Sequence, residues 1–535
     1  HMKRIITDVL VAGAGGAGLM AAITAAERGR VCIVSKGKAG RSGATVMAPG
    51  AIAAVGDGWK CEGDSKELHI KDTMAGGAFV NDEALVRDLA EHSPAAVMQL
   101  EQLGALFERT SDGGNLMLRI DGGHSDHRCP YLDDRVGKEM VRSMMGGAAK
   151  AHIPIYEEIM LVKLLTENGK ISGAYGIDLV SGEGVLFECP AVILACGGAG
   201  ELYANTDNPS DATGDAYALA AEVGAELRDM EFVQFYPIGM LTPPSLRGAL
   251  GGLPPHVHLY NNKNERFMEF YDKERLELST RDLVSRAIVT EVLKGNGSPL
   301  GGVYCDLTHN EPGFIRNTAP GLYAMYRSCG IDPEKDRFEI APTSHFFMGG
   351  IAVRTDRSTS VAGLFAAGEC SGGTHGGNRL SQNALAEVLT SGLAAGKAAR
   401  KYAATAVRIP AKAPDYALSF ADEGISPMEQ RRKLQQIMWE HAGVIRSEQS
   451  LDQALCALDA LAAEPIAIKN PSPRLNAEYR IAAENRNLLL AARAVILSAS
   501  LRKVSRGAHY RADAPELTEN GNVYTDGKTA VWRES

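Results

Sequence analysis

The chain has 535 residues, of which 45% are hydrophobic and 23% are charged, a balance that is typical of globular proteins. This length exceeds what one hydrophobic core supports, so we expect two or three domains. The formal net charge of −9 argues against general affinity for nucleic acid, which needs a basic surface.

The nine cysteines are scattered, and no two of them stand in a CxxC arrangement. Zinc sites and cysteine-ligated iron–sulfur clusters need grouped thiols, so we predict no metal site in this chain. Scattered thiols fit a reducing compartment. No run of about 18 apolar residues and no separate signal sequence is present, so we expect a cytoplasmic protein without a membrane span.

The first elements predict a β-α-β unit: a buried strand at 5–12, an Ala-rich helix at 17–28 and a second strand at 31–35. Between the first strand and the helix the sequence reads Gly13-Ala14-Gly15-Gly16-Ala17-Gly18, which is GxGxxG in its required context. The glycines permit a tight turn and bring a pyrophosphate close to the helix N-terminus. We therefore predict that this loop, including Gly13, Gly15, Gly16 and Gly18, binds a dinucleotide.

The end of the second strand departs from the common dinucleotide pattern. Ser35-Lys36 stand where an acidic residue usually holds the ribose hydroxyls. We expect Ser35 to hydrogen-bond the ribose and Lys36 to meet a phosphate or the adenine edge.

Two further segments favour FAD over NAD. Arg41-Ser42-Gly43-Ala44-Thr45 follows the second strand and can run beside an isoalloxazine ring, with Ser42 and Thr45 as polar contacts. A strand at 363–367 ends in Gly368-Glu369, which is suited to place a carboxylate on the ribityl chain. We therefore predict FAD as the cofactor.

Further elements follow from the pattern of apolar and turn residues, and the chain is strongly helical from Ser426 onward. The Pro- and Gly-rich stretch 237–255 indicates the start of an inserted segment that runs to about residue 345. We predict helices at 83–107, 135–152, 428–440, 450–463 and 475–502, a hairpin at 161–187 that turns at Glu167-Asn168-Gly169-Lys170, and a buried strand at 191–195.

Five segments resemble the flavoprotein subunits of succinate dehydrogenase and fumarate reductase and their relative L-aspartate oxidase. They are Asp229-Met230-Glu231-Phe232-Val233-Gln234, Thr280-Arg281-Asp282-Leu283-Val284-Ser285-Arg286, His345-Phe346-Phe347-Met348-Gly349-Gly350, Gly377-Asn378-Arg379-Leu380-Ser381-Gln382-Asn383-Ala384-Leu385 and Ser505-Arg506-Gly507-Ala508-His509.

This resemblance implies an α/β fold in three parts. A Rossmann-type FAD-binding domain comprises residues 1–236 and 346–415, an α+β capping domain is inserted at 237–345, and a C-terminal helical domain covers 425–535. It also implies that a small carboxylate substrate is trapped between cap and flavin.

The resemblance further assigns catalytic roles. Arg379 matches the arginine that clamps a substrate carboxylate, and His345 matches a substrate-binding histidine. Arg281 matches the proton-transferring arginine, although a buried ion pair with Asp282 is the alternative. Arg247 corresponds loosely to a second relay arginine.

Other positions match substrate or cofactor contacts. Asp121 stands where aspartate oxidases have an acidic residue that meets the substrate amine. The alternative is an Asp that serves only the structure of a Gly-rich turn. His124 and Gln234 are expected near the substrate. Expected contacts to FAD are Asp215, Glu369, Asn378, Arg379, Ser381 and Leu385.

The departures from the family pattern also carry expectations. Tyr236-Pro237-Ile238 replaces His-Pro-Thr, and Pro243-Pro244 replaces Thr-Glu. Only Tyr236 keeps a hydrogen-bond donor there, so a plain C4 dicarboxylate is an unexpected substrate. Gly43 stands where respiratory relatives carry the histidine that is bonded to FAD, so we predict non-covalent FAD.

Three functions remain open at this point. The chain is a dehydrogenase or reductase that passes electrons to a separate iron–sulfur subunit, which would also attach it peripherally to a membrane. Alternatively it is a stand-alone oxidase similar to L-aspartate oxidase, or a non-catalytic FAD-binding subunit. Retention of Arg281, His345 and Arg379 argues against the third.

Overall fold

The β-α-β unit is present in the computed structural model of the protein, which describes residues 2–59, 61–250, 256–514 and 521–534. The prediction of one strand over 5–12 is wrong, because this segment forms two strands, Lys3–Ile6 and Val9–Ala12, in different sheets. The chain changes sheets at Thr7, whose hydroxyl donates to the Arg30 carbonyl at 2.8 Å.

A five-stranded parallel sheet forms the centre of the FAD-binding part. Its strands, in spatial order, are Leu364–Ala366, Ala191–Leu194, Val9–Ala12, Val31–Val34 and Ile155–Tyr156. The helices Gly16–Ala26 and Asn383–Thr405 pack against each other beside this sheet. All five strands are parallel, so their carboxyl ends meet at one edge, where ligands of open α/β sheets bind.

A second sheet contains Lys3–Ile6, Gly184–Glu188, Lys170–Asp178 and Ile159–Glu167. The predicted hairpin is confirmed: the last two strands are antiparallel and pair Glu167 with Lys170. The two turn residues have positive φ, 51° at Asn168 and 72° at Gly169, as the favoured two-residue hairpin turn requires.

Residues 233–347 contain a four-stranded antiparallel sheet. Its strands are Val233–Met240, Phe338–Phe347, Val303–Asp306 and His258–Tyr260, in spatial order. This sheet and the surrounding helices share a hydrophobic core of their own. The helices are Met268–Tyr271, Arg281–Glu291, Phe314–Thr318 and Pro320–Ser328.

The C-terminal part has the three predicted helices, at Pro427–His441, Glu448–Ala463 and Ala477–Leu501. It also has a hairpin that the sequence pattern did not reveal, Gly521–Thr525 with Ala530–Glu534. The first of these strands pairs with Leu227–Arg228, in a sheet with Gly350–Ala352 and Ser371–Gly372. A purely helical C-terminal part is therefore an incomplete description.

The remaining elements lie on the FAD-binding part. The remaining helices are Lys66–Gly76, Glu83–Gln102, Val136–Lys150 and Asp215–Glu222, and the remaining strands are the pair Leu118–Arg119 and Cys129–Pro130.

None of the helices in the described part of the chain combines the length and the apolarity that a bilayer-spanning segment requires.

Candidate functional site

A cavity of about 650 Å³ opens at the carboxyl edge of the parallel sheet and reaches the strands and helices of residues 233–347. This volume is in the range of known cofactor and ligand pockets, about 300–1,000 Å³. Sequence-predicted residues on its wall are Gly13, Gly15, Gly16, Ser35, Lys36, Ser42, Thr45, Asp121, Asp215, Tyr236, Arg281, His345, Glu369, Arg379, Ser381 and Leu385.

The glycine loop has the tight geometry that its sequence predicts. A Cβ atom at Gly13 would lie 2.1 Å from the Ala195 carbonyl oxygen, and one at Gly18 would lie 1.9 Å from the Gly13 carbonyl oxygen. Gly18 is therefore required inside the turn and does not line the cavity. The Gly16 N–H donates to the Thr45 hydroxyl at 3.2 Å, at the start of the helix, where an anion is favoured.

The Lys36 ammonium lies in a cluster of acceptors at one end of the cavity. It is 2.8 Å from Asp215 and 3.0 Å from Glu484, and it donates to the Thr213 hydroxyl at 2.6 Å. These carboxylates raise the pKa of Lys36 although burial opposes the charge. Asp215 also accepts from Asn487 at 2.8 Å, so this end is built jointly with the C-terminal helix.

Glu369 is half-buried on the cavity wall, just after the strand Leu364–Ala366 at the edge of the parallel sheet. Its carboxyl accepts a hydrogen bond from the Phe347 N–H at 3.0 Å. Burial raises its pKa to about 7. In its ionised form this group can accept a hydrogen bond from a bound hydroxyl.

Arg379 is half-buried at the other end of the cavity. Its guanidinium donates to the Gln234 side-chain carbonyl at 3.0 Å and lies over the Phe346 ring at 4.8 Å. Burial and the nearby Arg281 lower its pKa to about 10, so it remains a cation at neutral pH. Its Nε atom is buried without a hydrogen-bond partner among the described residues, which leaves a donor for a ligand.

Arg281 begins the helix Arg281–Glu291, where the Thr280 hydroxyl caps the helix by accepting from the Leu283 N–H. The Arg281 guanidinium is 4.0 Å from Asp121 and 5.1 Å from the centre of the Tyr236 ring. Its side chain is 47% exposed, which differs from the alternative of a buried pair with Asp282.

His345 pairs with a residue that sequence reasoning missed. Its Nδ1 atom lies 2.7 Å from the Asp207 carboxylate, and the two rings of His345 and Tyr236 are 6.0 Å apart. Asp207 also lines the cavity. Asp207 lies in a loop, 138 residues before His345, so no local sequence pattern links the two residues.

Besides Gly18, four sequence-predicted residues do not line the cavity. His124 is behind it, with Nε2 2.6 Å from the Ser381 carbonyl oxygen, and burial lowers its pKa. Gln234 and Asn378 bind each other at 2.7 Å and support Arg379 from outside. Arg247 is exposed.

The cavity residues fit an FAD molecule. The glycine loop and helix N-terminus suit a pyrophosphate, Ser35 and Asp215 suit ribose hydroxyls, and Glu369 suits the ribityl chain. The space beside Gly43 is open, since a Cβ atom there would meet nothing within 4 Å.

Comparisons with known proteins agree with this site. The family model described as "FAD binding domain" matches residues 8–385, and "Fumarate reductase flavoprotein C-term" matches residues 431–533.

Two relatives and one solved structure illustrate the similarity. One subunit of the fumarate reductase (CoM/CoB) of Methanothermobacter marburgensis is 39% identical and covers 95% of this chain and 94% of its own. The L-aspartate oxidase of Acinetobacter baylyi is 32% identical and covers 96% and 94%. The structure of Mycobacterium smegmatis Sdh1 in complex with UQ1 matches with a TM-score of 0.93 at 35% identity, covering 100% of this chain and 94% of that one. The protein is thus an FAD-dependent oxidoreductase that belongs to the family of succinate dehydrogenase and fumarate reductase flavoprotein subunits and L-aspartate oxidases.

Proposed function

We propose that this protein is a dehydrogenase or reductase for an acid that carries one carboxylate beside the reacting carbons and a second end that is not anionic. The observation that carries the proposal is that Arg281, His345 and Arg379 line the same cavity as the glycine loop and Glu369. When bound, FAD supplies or accepts the hydride. Substrate binding and proton transfer fall to the side chains.

Arg379 and His345 hold the carboxylate. A guanidinium offers two parallel donors to a carboxylate, and that of Arg379 is kept in place by Gln234. His345 adds a further donor from the strand Phe338–Phe347. Together they fix one end of the substrate, and such fixation contributes much of the rate of an oriented reaction.

Arg281 and Asp121 serve the proton transfer. Arginine is a very weak acid, so it can act only by transient transfer with a neighbour, and Asp121 at 4.0 Å is that neighbour. Asp121 also accepts from Gly122 N–H at 2.7 Å and from the Gln382 amide. Because Arg247 is exposed, the proposal assigns no step to it.

The charges of the cavity favour one carboxylate over two. Asp121 lies 4.0 Å from Arg281, so Arg281 already has a carboxylate partner, whereas the Arg379 Nε atom has none among the described residues. A second substrate carboxylate would compete with Asp121 for Arg281. Tyr236 offers one hydrogen-bond donor, whereas Pro243 and Pro244 offer none at the positions where the family pattern has Thr-Glu.

A matched pair of enoates tests this proposal. Fumarate and its monoamide have the same carbon skeleton, and only the second end differs in charge. With a reduced viologen dye as electron donor, we expect kcat/KM for the monoamide to exceed that for fumarate by at least about tenfold, the effect of one unfavourable charge contact. A fumarate kcat/KM near 10⁶ M⁻¹s⁻¹, within the usual range of about 10⁴–10⁸, would contradict it.

The electron acceptor is proposed to be an iron–sulfur partner subunit in the cytoplasm. Support comes from the Methanothermobacter marburgensis relative, which is named as one subunit of a fumarate reductase. Slow reoxidation of the reduced protein by oxygen would support this acceptor, and reoxidation within seconds in air would contradict it.

The second candidate is an amino-acid oxidase similar to L-aspartate oxidase, and Asp121 is the observation that favours it. Asp121 lines the cavity and could meet a substrate ammonium. Anaerobic addition of L-aspartate decides between the candidates. Bleaching of the flavin by aspartate but by neither succinate nor its monoamide would replace the first candidate with this one.

A further inference from the structure

Asp207 is attached firmly to the strand that carries His345. The Asp207 N–H donates to the Ser344 carbonyl at 3.2 Å, and the Ser344 N–H donates to the Asn205 carbonyl at 2.9 Å. The Asn208 amide donates to the His345 carbonyl at 2.9 Å and to the Asp207 carboxylate at 3.0 Å. The Asp207 side chain, which is only 8% exposed, therefore has a fixed orientation toward the imidazole.

This orientation has a consequence for the ring. A carboxylate only accepts hydrogen bonds, so the contact of 2.7 Å requires a proton on Nδ1 of His345. A neutral ring then has a lone pair on Nε2 and cannot donate from that atom. It becomes a donor to a substrate carboxylate only as the imidazolium, whose charge Asp207 balances.

We propose that Asp207 is a positioning residue that holds His345 with Nδ1 protonated and stabilises the imidazolium that receives the substrate carboxylate. This inference rests on the proposed function, because it takes the carboxylate-holding role of His345 as given. It adds a residue that acts through His345.

Other charged and titratable groups face the same region and set the background for any pH effect. These groups are Asp121, Tyr236, Arg281, Glu369 and Arg379, which all line the cavity. All of them remain unchanged in the variants below, so a difference between variants reports on the Asp207–His345 pair.

The test uses holoenzyme and measures the dissociation constant of fumarate monoamide from the change in flavin absorbance between pH 6 and 8.5. We expect Asp207→Asn, which keeps an acceptor but loses the charge, to weaken binding by at least about tenfold at the upper pH, as for loss of one charge-assisted contact. Asp126→Asn is the matched control, since Asp126 is 3.7 Å from the exposed His127 and outside the cavity lining.

A double-mutant cycle separates positioning from a structural role. If Asp207 acts through His345, the double variant Asp207→Asn with His345→Gln should bind the probe as weakly as His345→Gln alone. Additive losses, or normal binding by Asp207→Asn when His345→Gln is weakened, would overturn the inference and leave the proposed function intact. Normal binding by His345→Gln would overturn the carboxylate-holding role itself.

A measurement without ligand completes the test. In ¹⁵N-histidine NMR spectra, the signals that vanish in His345→Gln identify this ring. We expect them to show Nδ1 protonation in the unaltered protein and a mixture of the two neutral tautomers in Asp207→Ala. A mixture in the unaltered protein would contradict the inference.

Discussion

The side-chain carbonyl of Gln234 accepts a hydrogen bond of 3.0 Å from the Arg379 guanidinium. The amide of the same residue donates to the Arg379 backbone carbonyl at 3.0 Å and to Asn378 at 2.7 Å. Asn378 in turn donates to Asp282 at 2.8 Å. One glutamine thus fixes both the main chain and the side chain of Arg379 and joins it to the helix that carries Arg281.

Gln234→Ala should therefore act on substrate binding although Gln234 does not line the cavity. We expect the KM for fumarate monoamide to rise by about tenfold, which corresponds to roughly 1.4 kcal/mol, while bound FAD is retained. Gln436→Ala is the control, since the Gln436 amide donates to Glu440 on an exposed helix face. An unchanged KM in Gln234→Ala would show that Arg379 keeps its orientation without this support.

Arg281 is expected to matter for turnover more than for binding. Arg281→Lys keeps a cation near Asp121 but changes the geometry of proton transfer, so we expect kcat to fall by at least about 100-fold, the usual scale for acid–base groups. FAD content should stay normal. Arg327→Lys, at an ion pair with Asp332 on the helix Pro320–Ser328, is the matched control. Near-normal kcat in Arg281→Lys would assign Arg281 to structure.

Glu369 should make FAD binding depend on pH. Burial raises its pKa to about 7, so in the apoprotein the carboxyl is protonated below that pH. A ribityl hydroxyl that donates to this group favours the carboxylate, and binding below pH 7 must then release the proton. The affinity for FAD should fall by about tenfold per pH unit below 7 and level off above it.

Titration of apoprotein with FAD from pH 5.5 to 8.5, followed by flavin fluorescence, checks this expectation. Glu369→Gln removes the titrating group and should flatten the profile. An unaltered protein whose affinity is constant across this range would place the ribityl chain away from Glu369.

FAD should be released when the protein is precipitated with acid. Gly43 offers no nucleophile at the position where respiratory relatives carry the flavin-linked histidine, so nothing in the segment Arg41-Ser42-Gly43-Ala44-Thr45 can bond the flavin methyl group. We expect all yellow colour in the supernatant. Colour retained in the washed pellet would establish a covalent link elsewhere on the chain.

The local parts of the fold were predictable from the sequence. The glycine loop, the Asn168-Gly169 hairpin and the C-terminal helices follow from short-range patterns of turn residues and apolar spacing. The break at Thr7 was missed because Ile5 to Ala12 is a nearly unbroken apolar run. What ends the first strand is the contact of Thr7 with Arg30, which belongs to another turn.

The site was predictable only where a residue belongs to a recognisable motif. Arg281, His345 and Arg379 line the cavity, and each stands in one of the family segments. Asp207 lies in a loop without such a motif, and its role depends on the approach of His345 from a distant strand. His124 was expected at the substrate, but its ring hydrogen-bonds the Ser381 main chain.

The pairing of Lys36 with Glu484 has a consequence for biosynthesis. Lys36 emerges early from the ribosome, whereas Glu484 follows only after residues 233–347 and most of the C-terminal part have been made. Until then the Lys36 ammonium has only one of its two carboxylate partners, Asp215, and an incompletely paired charge is costly to bury. A nascent chain should therefore acquire FAD late, once the helix Ala477–Leu501 is available, and ribosome-stalled chains that end before Glu484 should be sensitive to protease even with excess FAD.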